Sequence, residues 1–300
     1  MILKQKKRFF YALDVLYLAM MLLPVLFGIV LRVLTRPESE GISIRGAQIF
    51  FTLPMPIQNL AITESQINSW LVMISVLGLC LFLTHGLQTR GIRRRQHVAE
   101  WIVEKLDAIV SDSMGEYFSG FAPFIGAVLA LSAFSSLLSL FGLYPPTSDL
   151  NVVAGWALLV FVLITYYKMK CGPVQYLKSF AEPVPFLTPL NVISEVSTPV
   201  SMAFRHYGNV LSGSVISVLV AAGLQGLSSL ILGNLPGFLA ELPVFQVGIP
   251  AVLSVYFDVF SGCLQAYIFA MLTMMYVSGA FPMEKYFEKK VKKKKTIEKI

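Results

Sequence analysis

Three charged side chains lie inside long apolar runs, where a charge has little access to water. Arg205 lies in PVSMAFRHYGNVLSG, Asp258 in SVYFDVFSGCLQAYIF and Glu195 in NVISEVSTPVS. A charge at the centre of a bilayer costs at least ~2.5 kcal/mol, so such residues mark ion pathways by default. An arginine stays charged, whereas a carboxylate accepts and releases protons. These three residues are therefore the first candidates for ion translocation.

Helix geometry places two amides and both carboxylates around Arg205. Asn209 follows the arginine by one turn on the same face, and Gln265 follows Asp258 by two turns. Glu195 precedes Arg205 by ten residues, which is ~15 Å of helix rise. Glu195 is then displaced toward the inside of the membrane. Asp258 is displaced toward the outside.

This arrangement predicts two half-paths that a fixed cation separates. The cation would repel a free ion, so conduction needs a carrier carboxylate from another subunit. A static ion pair between Arg205 and Asp258 is the first alternative. The second is that neighbouring helices satisfy Asp258 and Gln265 without any ion path. His206 could pack in the bundle, face lipid or relay protons, and Asp149 could cap a helix or lie at the outer mouth.

The composition describes the elements that must position these residues. Hydrophobic residues make up 56% of the 300 residues, charged residues only 14%, and the mean hydropathy is +0.70. This is too little charge to cover a soluble fold, which carries about 25%. Three cysteines exclude a disulfide scaffold, and we expect free, buried thiols. The net charge of +7 does not indicate nucleic-acid binding, because basic clusters flank apolar runs.

Six apolar runs are long enough to cross a bilayer, so the predicted fold is an all-α integral membrane protein. The last two helices are long and are expected to tilt strongly. With the N-terminus in the cytoplasm, 20 of the 24 Lys and Arg fall on the inner side. Both termini are therefore predicted to be cytoplasmic. The runs are 9–34, 69–87, 119–143, 151–167, 186–232 and 250–281.

Three regions follow from this topology. Residues 1–68 are expected to form an N-terminal transmembrane anchor and an external loop, 69–281 the membrane domain, and 282–300 a basic cytoplasmic tail. Apolar residues recur at helical spacing over 98–118, with acidic residues on the other faces. We expect an amphipathic helix there, on the cytoplasmic membrane surface or against a partner protein.

The ordered set of motifs resembles the a subunit of bacterial F-type ATP synthases, over roughly residues 60–281. The segments that carry the resemblance are ITESQINSWLVM, YPPTSDLNV, NVISEVSTPVS, STPVSMAFRHYGNVLSG and LQAYIFAMLTMMYVS. The resemblance implies a non-catalytic membrane subunit in a bacterial cell membrane, which carries H⁺ or Na⁺. Its implied partners are a ring of c subunits, a b-type peripheral stalk, the other ATP synthase subunits and lipid. It implies no cofactor.

The resemblance also implies a role for each candidate residue. Arg205 would meet the ring carboxylates in turn, with Asn209 and Gln265 near it and at the outer half-channel. Asp258 would line the outer half-channel and Glu195 the cytoplasmic one.

The chain departs from the family pattern at three positions. His206 replaces the usual Leu, Ser214 stands where an acidic residue or His is frequent, and Thr198 where a Lys is frequent. Relative to the family pattern, run 9–34 is an extra N-terminal transmembrane helix.

Two other classes of protein remain as alternatives. An autonomous secondary ion transporter with an Arg–Asp gate would need no ring, but such transporters usually show an inverted repeat and none is visible. An intramembrane enzyme has no supporting motif. The sequence contains no G-x-x-x-x-G-K-[ST] pattern, so ATP chemistry would belong to partner subunits.

Overall fold

The computed structural model describes residues 2–35, 46–56, 59–89, 93–170, 172–181, 184–232 and 244–281. The tail 282–300 lies outside these ranges, as do one of the three cysteines, Cys171, and three of the basic residues counted above, Arg36, Arg45 and Arg90. Within the described residues, six helical segments are long and apolar enough to span a membrane. The predicted all-α membrane fold is confirmed.

The described elements run in a simple order along the chain. The helices are α1 (Ile2–Thr35), α2 (Glu64–Thr84), α3 (Arg94–Met114), α4 (Ala122–Leu137), α5 (Leu150–Met169), α6 (Pro173–Ala181), α7 (Thr188–Leu232), α8 (Val244–Ser254) and α9 (Gly262–Ala280). Short 3₁₀ turns span Glu116–Phe121, Leu138–Phe141, Pro146–Ser148 and Pro185–Leu187, and a π-helical segment, Val255–Ser261, joins α8 to α9. Strands β1 (Ile49–Leu53) and β2 (Leu60–Thr63) form an antiparallel hairpin.

The central bundle consists of α4, α5, α7 and α9, with α3 packed across one end. We call this end the inner end and the opposite end the outer end, after the topology that the sequence predicts. The buried apolar core lies between these helices and includes Ile125, Val160, Met202, Phe269 and Met274. Large apolar side chains also cover the outside of the bundle, as on Leu158, Leu219 and Val252. An apolar outer surface is what a bilayer requires of a spanning protein.

Helix α1 packs along α2, and contacts at three levels hold the pair together. At one end Arg32 pairs with Glu64, at 2.9 Å. At the other end Asp14 accepts from Arg95 at 2.7 Å and lies 2.8 Å from the His85 ring. Between them, Gly78 of α2 lies directly against the backbone of α1. The added helix is thus an integral part of this fold.

Helix α7 is far longer than a bilayer is thick. Its 45 residues span ~68 Å, compared with ~30 Å of hydrocarbon. A helix of this length either tilts strongly or extends out of the membrane.

Some sequence predictions were incomplete or wrong. The surface helix α3 lies at Arg94–Met114, four residues earlier than the predicted range 98–118. The β1–β2 hairpin and helix α6 were not predicted. Cys80 and Cys263 are free thiols, but they face outward and are not buried.

Candidate functional site

Arg205 lies on the side of α7 that faces out of the bundle. Its neighbours Met202, Ala203 and His206 are buried, whereas the Arg205 side chain is exposed. In the part of the chain that the structure describes, no carboxylate lies within ion-pairing distance of the Arg205 guanidinium. The alternative of a static Arg205–Asp258 ion pair is therefore wrong.

Small side chains extend this open face along α7 on both sides of the arginine. The outward-facing small residues follow helical spacing: Ser194, Ser197, Ser201, Gly208 and Ser212. A Cβ added at Gly208 would meet nothing within 4 Å in this chain. Small residues on a membrane helix allow another helix to approach closely. This face of α7 therefore carries small side chains and is open to another helix. Its positive charge lies at Arg205.

One hydrogen bond connects α7 to α9 just outside the level of Arg205. The amide of Asn209 donates to Gln265 Oε1 at 2.6 Å, and Gln265 is only 2% exposed. The two amides, which the resemblance assigned to the neighbourhood of the arginine and the outer half-channel, are thus in direct contact. The bond joins the arginine face of α7 to the line formed by Asp258, Gly262 and Gln265 at i, i+4 and i+7, which we call the polar stripe.

A line of serines on α4 and the turn after it faces this polar stripe. Ser139, in that turn, lies close to Asp258, and the two segments that carry these residues are in contact. The Ser139 hydroxyl donates to the Ser136 carbonyl at 2.7 Å. Ser136 packs closely against Gly262 of α9. A Cβ added at Gly262 would lie 2.5 Å from the Cβ of Ser136. Ser132 lies one turn further in, 3.3 Å from His206 Nε2. We call Ser132, Ser136 and Ser139 the serine seam.

Ser214 lies away from this seam. Its side chain is exposed, and its hydroxyl donates to the carbonyl of Leu211 in the same helix at 2.8 Å. The polar neighbour of Asp258 therefore comes from the turn after α4, at Ser139. The next residue inward on α7, Gly213, is covered by the ring of Phe257.

At the inner end of the bundle, Glu195 has a cationic partner on another helix. Lys168 of α5 lies 2.5 Å from Glu195 Oε2, and the Tyr176 hydroxyl lies 3.5 Å from Oε1. Burial raises the pKa of Tyr176 above its ordinary value, and the charge of Glu195 raises it further. An open cavity of about 510 Å³ reaches this carboxylate, and Asn191 and Thr198 also line it.

The two carboxylates lie at different depths relative to Arg205. Glu195 is ten residues from the arginine along α7, ~15 Å inward. Gln265, which bonds Asn209, lies about 6 Å outward of Arg205, and Asp258 lies ~10 Å beyond it. The predicted offset is thus compatible with the observed helix pairing. Neither carboxylate has direct contact with the guanidinium.

A second polar cluster lies at the outer end of α2, where Glu64 and Asn68 are buried. Ser65 donates to Asp149, and Asn68 donates to the Tyr144 carbonyl at 2.8 Å. Asp149 also accepts from the backbone N–H of Asn151, so its predicted role as a helix cap is confirmed. Burial, together with the nearby charge of Asp149, raises the pKa of Tyr144.

Sequence reasoning missed three parts of this arrangement. Lys168 was treated only as a topology signal, because its partner lies 27 residues away. The serine seam has a readable signal, since its members recur at i, i+4 and i+7 along α4 and into the turn after it. Glu64 lies in the quoted motif ITESQINSWLVM but received no role. Within the described residues, no three His, Cys, Asp or Glu side chains converge as a metal site would need.

The amino-acid sequence is similar to a known protein family over most of its length. Residues 66–278 match the family described as ATP synthase A chain. ATP synthase subunit a 1 of Crocosphaera subtropica is 33% identical over 220 residues, covering 72% of this chain and 86% of that protein. ATP synthase subunit a of Moorella thermoacetica is 29% identical, covering 79% and 96%. The sodium ion specific subunit a of Propionigenium modestum is 26% identical, covering 82% and 88%.

The family match spans the helices that carry Arg205, Asn209, Gln265 and both offset carboxylates. It begins at the start of α2 and ends near the end of α9, so α1 precedes it. The resemblance read from the motifs is confirmed, and the chain belongs to the ATP synthase A chain family.

Proposed function

We propose that this membrane subunit of an ATP synthase is the ion-translocating stator, with two offset half-paths around Arg205. The observation that carries the proposal is an unpaired guanidinium on an open face of small residues. A charge in hydrocarbon needs a counter-charge. Since no described carboxylate of this chain supplies it, the counter-charge comes from a partner that fits against α7. A ring of c subunits, each with one carboxylate, meets both requirements.

The outer half-path runs past Asp258 and the serine seam to Gln265 and Asn209. An ion that enters here neutralises a ring carboxylate, and the neutral site can then turn into lipid. When the site returns from the other side, Arg205 favours its ionised form, and the ion leaves through the cavity beside Glu195. Lys168 holds Glu195 in place at this exit. The membrane potential supplies ~2.3 kcal/mol per charge per 100 mV.

The remaining assignments follow from this mechanism. The chain is a multi-pass protein of a bacterial cell membrane with both termini in the cytoplasm, and it contacts a b-type peripheral stalk as well as the ring. Residues 69–281 form the functional membrane domain, 1–68 an added anchor and external loop, and 282–300 a basic tail. The translocated ion is H⁺ or Na⁺. The name of the Propionigenium modestum relative shows that subunits of this kind can serve sodium.

The test uses inverted membrane vesicles that contain the whole complex. We expect Arg205→Ala to abolish ATP-driven ion uptake while the complex stays assembled, because ring carboxylates lose the cation that opposes them. Uptake is measured with a pH-sensitive dye and with radioactive Na⁺, and ATP hydrolysis in parallel. Arg94→Ala, an exposed arginine at the start of α3, is the matched control and should behave as wild type. Unchanged coupled uptake in Arg205→Ala would rule out the proposed role.

A further inference from the structure

His206 is the polar residue of α7 that is buried most completely, and it lies directly after Arg205. Its side chain is 0% exposed. Ser132 of α4 lies 3.3 Å from its Nε2, while the rings of Trp156 (α5) and Phe269 (α9) flank it with centroids at 6.1 and 5.6 Å. One imidazole therefore contacts all three helices that surround α7 at this level.

The burial of His206 has a structural cost. Its Nδ1 has no hydrogen-bond partner among the described residues. An unpaired buried polar atom lowers stability, and an apolar side chain of similar volume would avoid the loss. A purely packing role therefore does not explain an imidazole here. Its hydrogen bond to Ser132 gives α7 something that an apolar residue cannot, a directional contact.

We propose that His206 is a positioning residue for Arg205, and this rests on the proposed role of the arginine. Consecutive side chains on an α-helix differ by 100° in direction. With His206 bonded to Ser132 inside the bundle, Arg205 points out of the open face of α7. A rotation of α7 that broke this bond would turn Arg205 by the same angle, away from the ring.

A second bond completes the constraint. Asn209, three residues beyond His206, bonds Gln265 of α9 at 2.6 Å. Arg205 is thus followed within one turn by two hydrogen bonds to two different helices. Together they fix the rotation of α7 about its own axis, which a single contact would leave partly free. The other buried residues nearby on α7, Met202 and Ala203, supply apolar contacts without direction.

The experiment compares variants of the whole complex in inverted membrane vesicles, with ions transported per ATP hydrolysed as the readout. We expect His206→Leu to lower this ratio about two- to tenfold, the factor that one lost hydrogen bond supports. His206→Gln can still bond Ser132 and should recover most of the ratio. Ser135→Ala, equally buried on α4 but not bonded to His206, is the control and should match wild type.

A double-mutant cycle separates positioning from packing. Ser132→Ala should cause the same loss as His206→Leu, and the double variant should be no worse than either one, because both remove the same bond. Additive losses, or a wild-type ratio in His206→Leu, would overturn the proposal. If His206→Leu does not assemble, Ser132→Ala decides: a lowered ratio supports positioning and an unchanged ratio refutes it.

Arg205→Ala in the same series keeps the two proposals distinct. Wild-type coupling in Arg205→Ala would overturn the stator mechanism itself. Lost coupling in Arg205→Ala together with wild-type coupling in His206→Leu would overturn only the positioning role.

Discussion

The guanidinium of Arg205 cannot reach water by extending along its own helix. It lies 17 residues from the start of α7 and 27 from its end, about 26 and 40 Å of helix rise. A permanent internal partner would have been the simplest way to stabilise this charge, and the described part of the chain provides none. The residue is therefore suited to a partner that arrives and leaves.

The serine seam leads to a prediction about the outer half-path. We expect Ser139→Ala to slow ATP-driven ion uptake several-fold, because the outer half-path loses the polar side chain that lies close to Asp258. Ser214→Ala is the matched control, since both hydroxyls donate to the backbone carbonyl three residues earlier but Ser214 lies away from the seam. Uptake rates at equal ATP hydrolysis measure the difference. If Ser214→Ala were the slower variant, the path would follow α7 and not α4.

The sequence was informative at residue scale wherever partners share a helix or a motif. Arg205, Asn209 and Gln265 could be identified because an amide or a charge in an apolar run is conspicuous. The pairing of Lys168 with Glu195 could not, since it depends on how α5 and α7 lie side by side. For the same reason, the sequence did not reveal that Ser139, in the turn after α4, lies close to Asp258.

Among the helices, α1 shows how an added element is joined to the rest. Gly78 of α2 allows the two backbones to touch, because a Cβ there would lie 2.8 Å from the Met21 nitrogen and 2.9 Å from the Met20 carbonyl carbon. Backbone atoms cannot move aside as a flexible side chain can. The ion pairs of Arg32 and Asp14 then fix the two ends.

A single substitution tests this close approach. Gly78→Val should destabilise the assembled complex by about 1–3 kcal/mol, the usual cost of overpacking, because α1 must move away from α2. Gly155→Val on α5 introduces the same side chain where nothing lies within 4 Å, and its effect should stay within ~0.5 kcal/mol. The apparent melting temperature of the purified complex reports both. Equal melting temperatures for the two variants would contradict the contact.

The helices themselves were largely predictable, because an apolar run of bilayer length has few other solutions. The hairpin, helix α6 and the π-helical segment were not predicted, because none of them is marked by a long apolar run of its own. Strand pairing between Ile49–Leu53 and Leu60–Thr63 is a contact between segments, and its register is irregular. Helix α6 is only nine residues long and carries no membrane-spanning signal. The π-helical segment around Asp258 changes hydrogen bonding without changing hydropathy, so composition does not reveal it.

At the scale of the whole molecule, the bundle is closed on one side of α7 and open on the other. On the closed side, His206 is buried among α4, α5 and α9, and Gln265 of α9 is buried beside Asn209. On the open side, the exposed Arg205 lies among serines and a glycine, and no described carboxylate pairs with it. An autonomous transporter would need to enclose its ion between its own helices. The open face of α7 instead resembles one side of a protein–protein interface, which a partner subunit would complete.

That difference gives a prediction for the isolated chain. Reconstituted alone into liposomes, it should conduct neither H⁺ nor Na⁺ under an imposed potential, because each half-path ends at a face that lacks the carrier carboxylate. Ion flux with a pH-sensitive dye and with radioactive Na⁺ tests this, and liposomes with the whole complex are the positive control. Flux that Arg205→Ala abolished in the isolated chain would favour the autonomous Arg–Asp gate. Flux that both the wild type and the variant carried would indicate a leak, so only a difference between them would count against the stator. We expect no such difference, because the open face of α7 works only when a ring closes it.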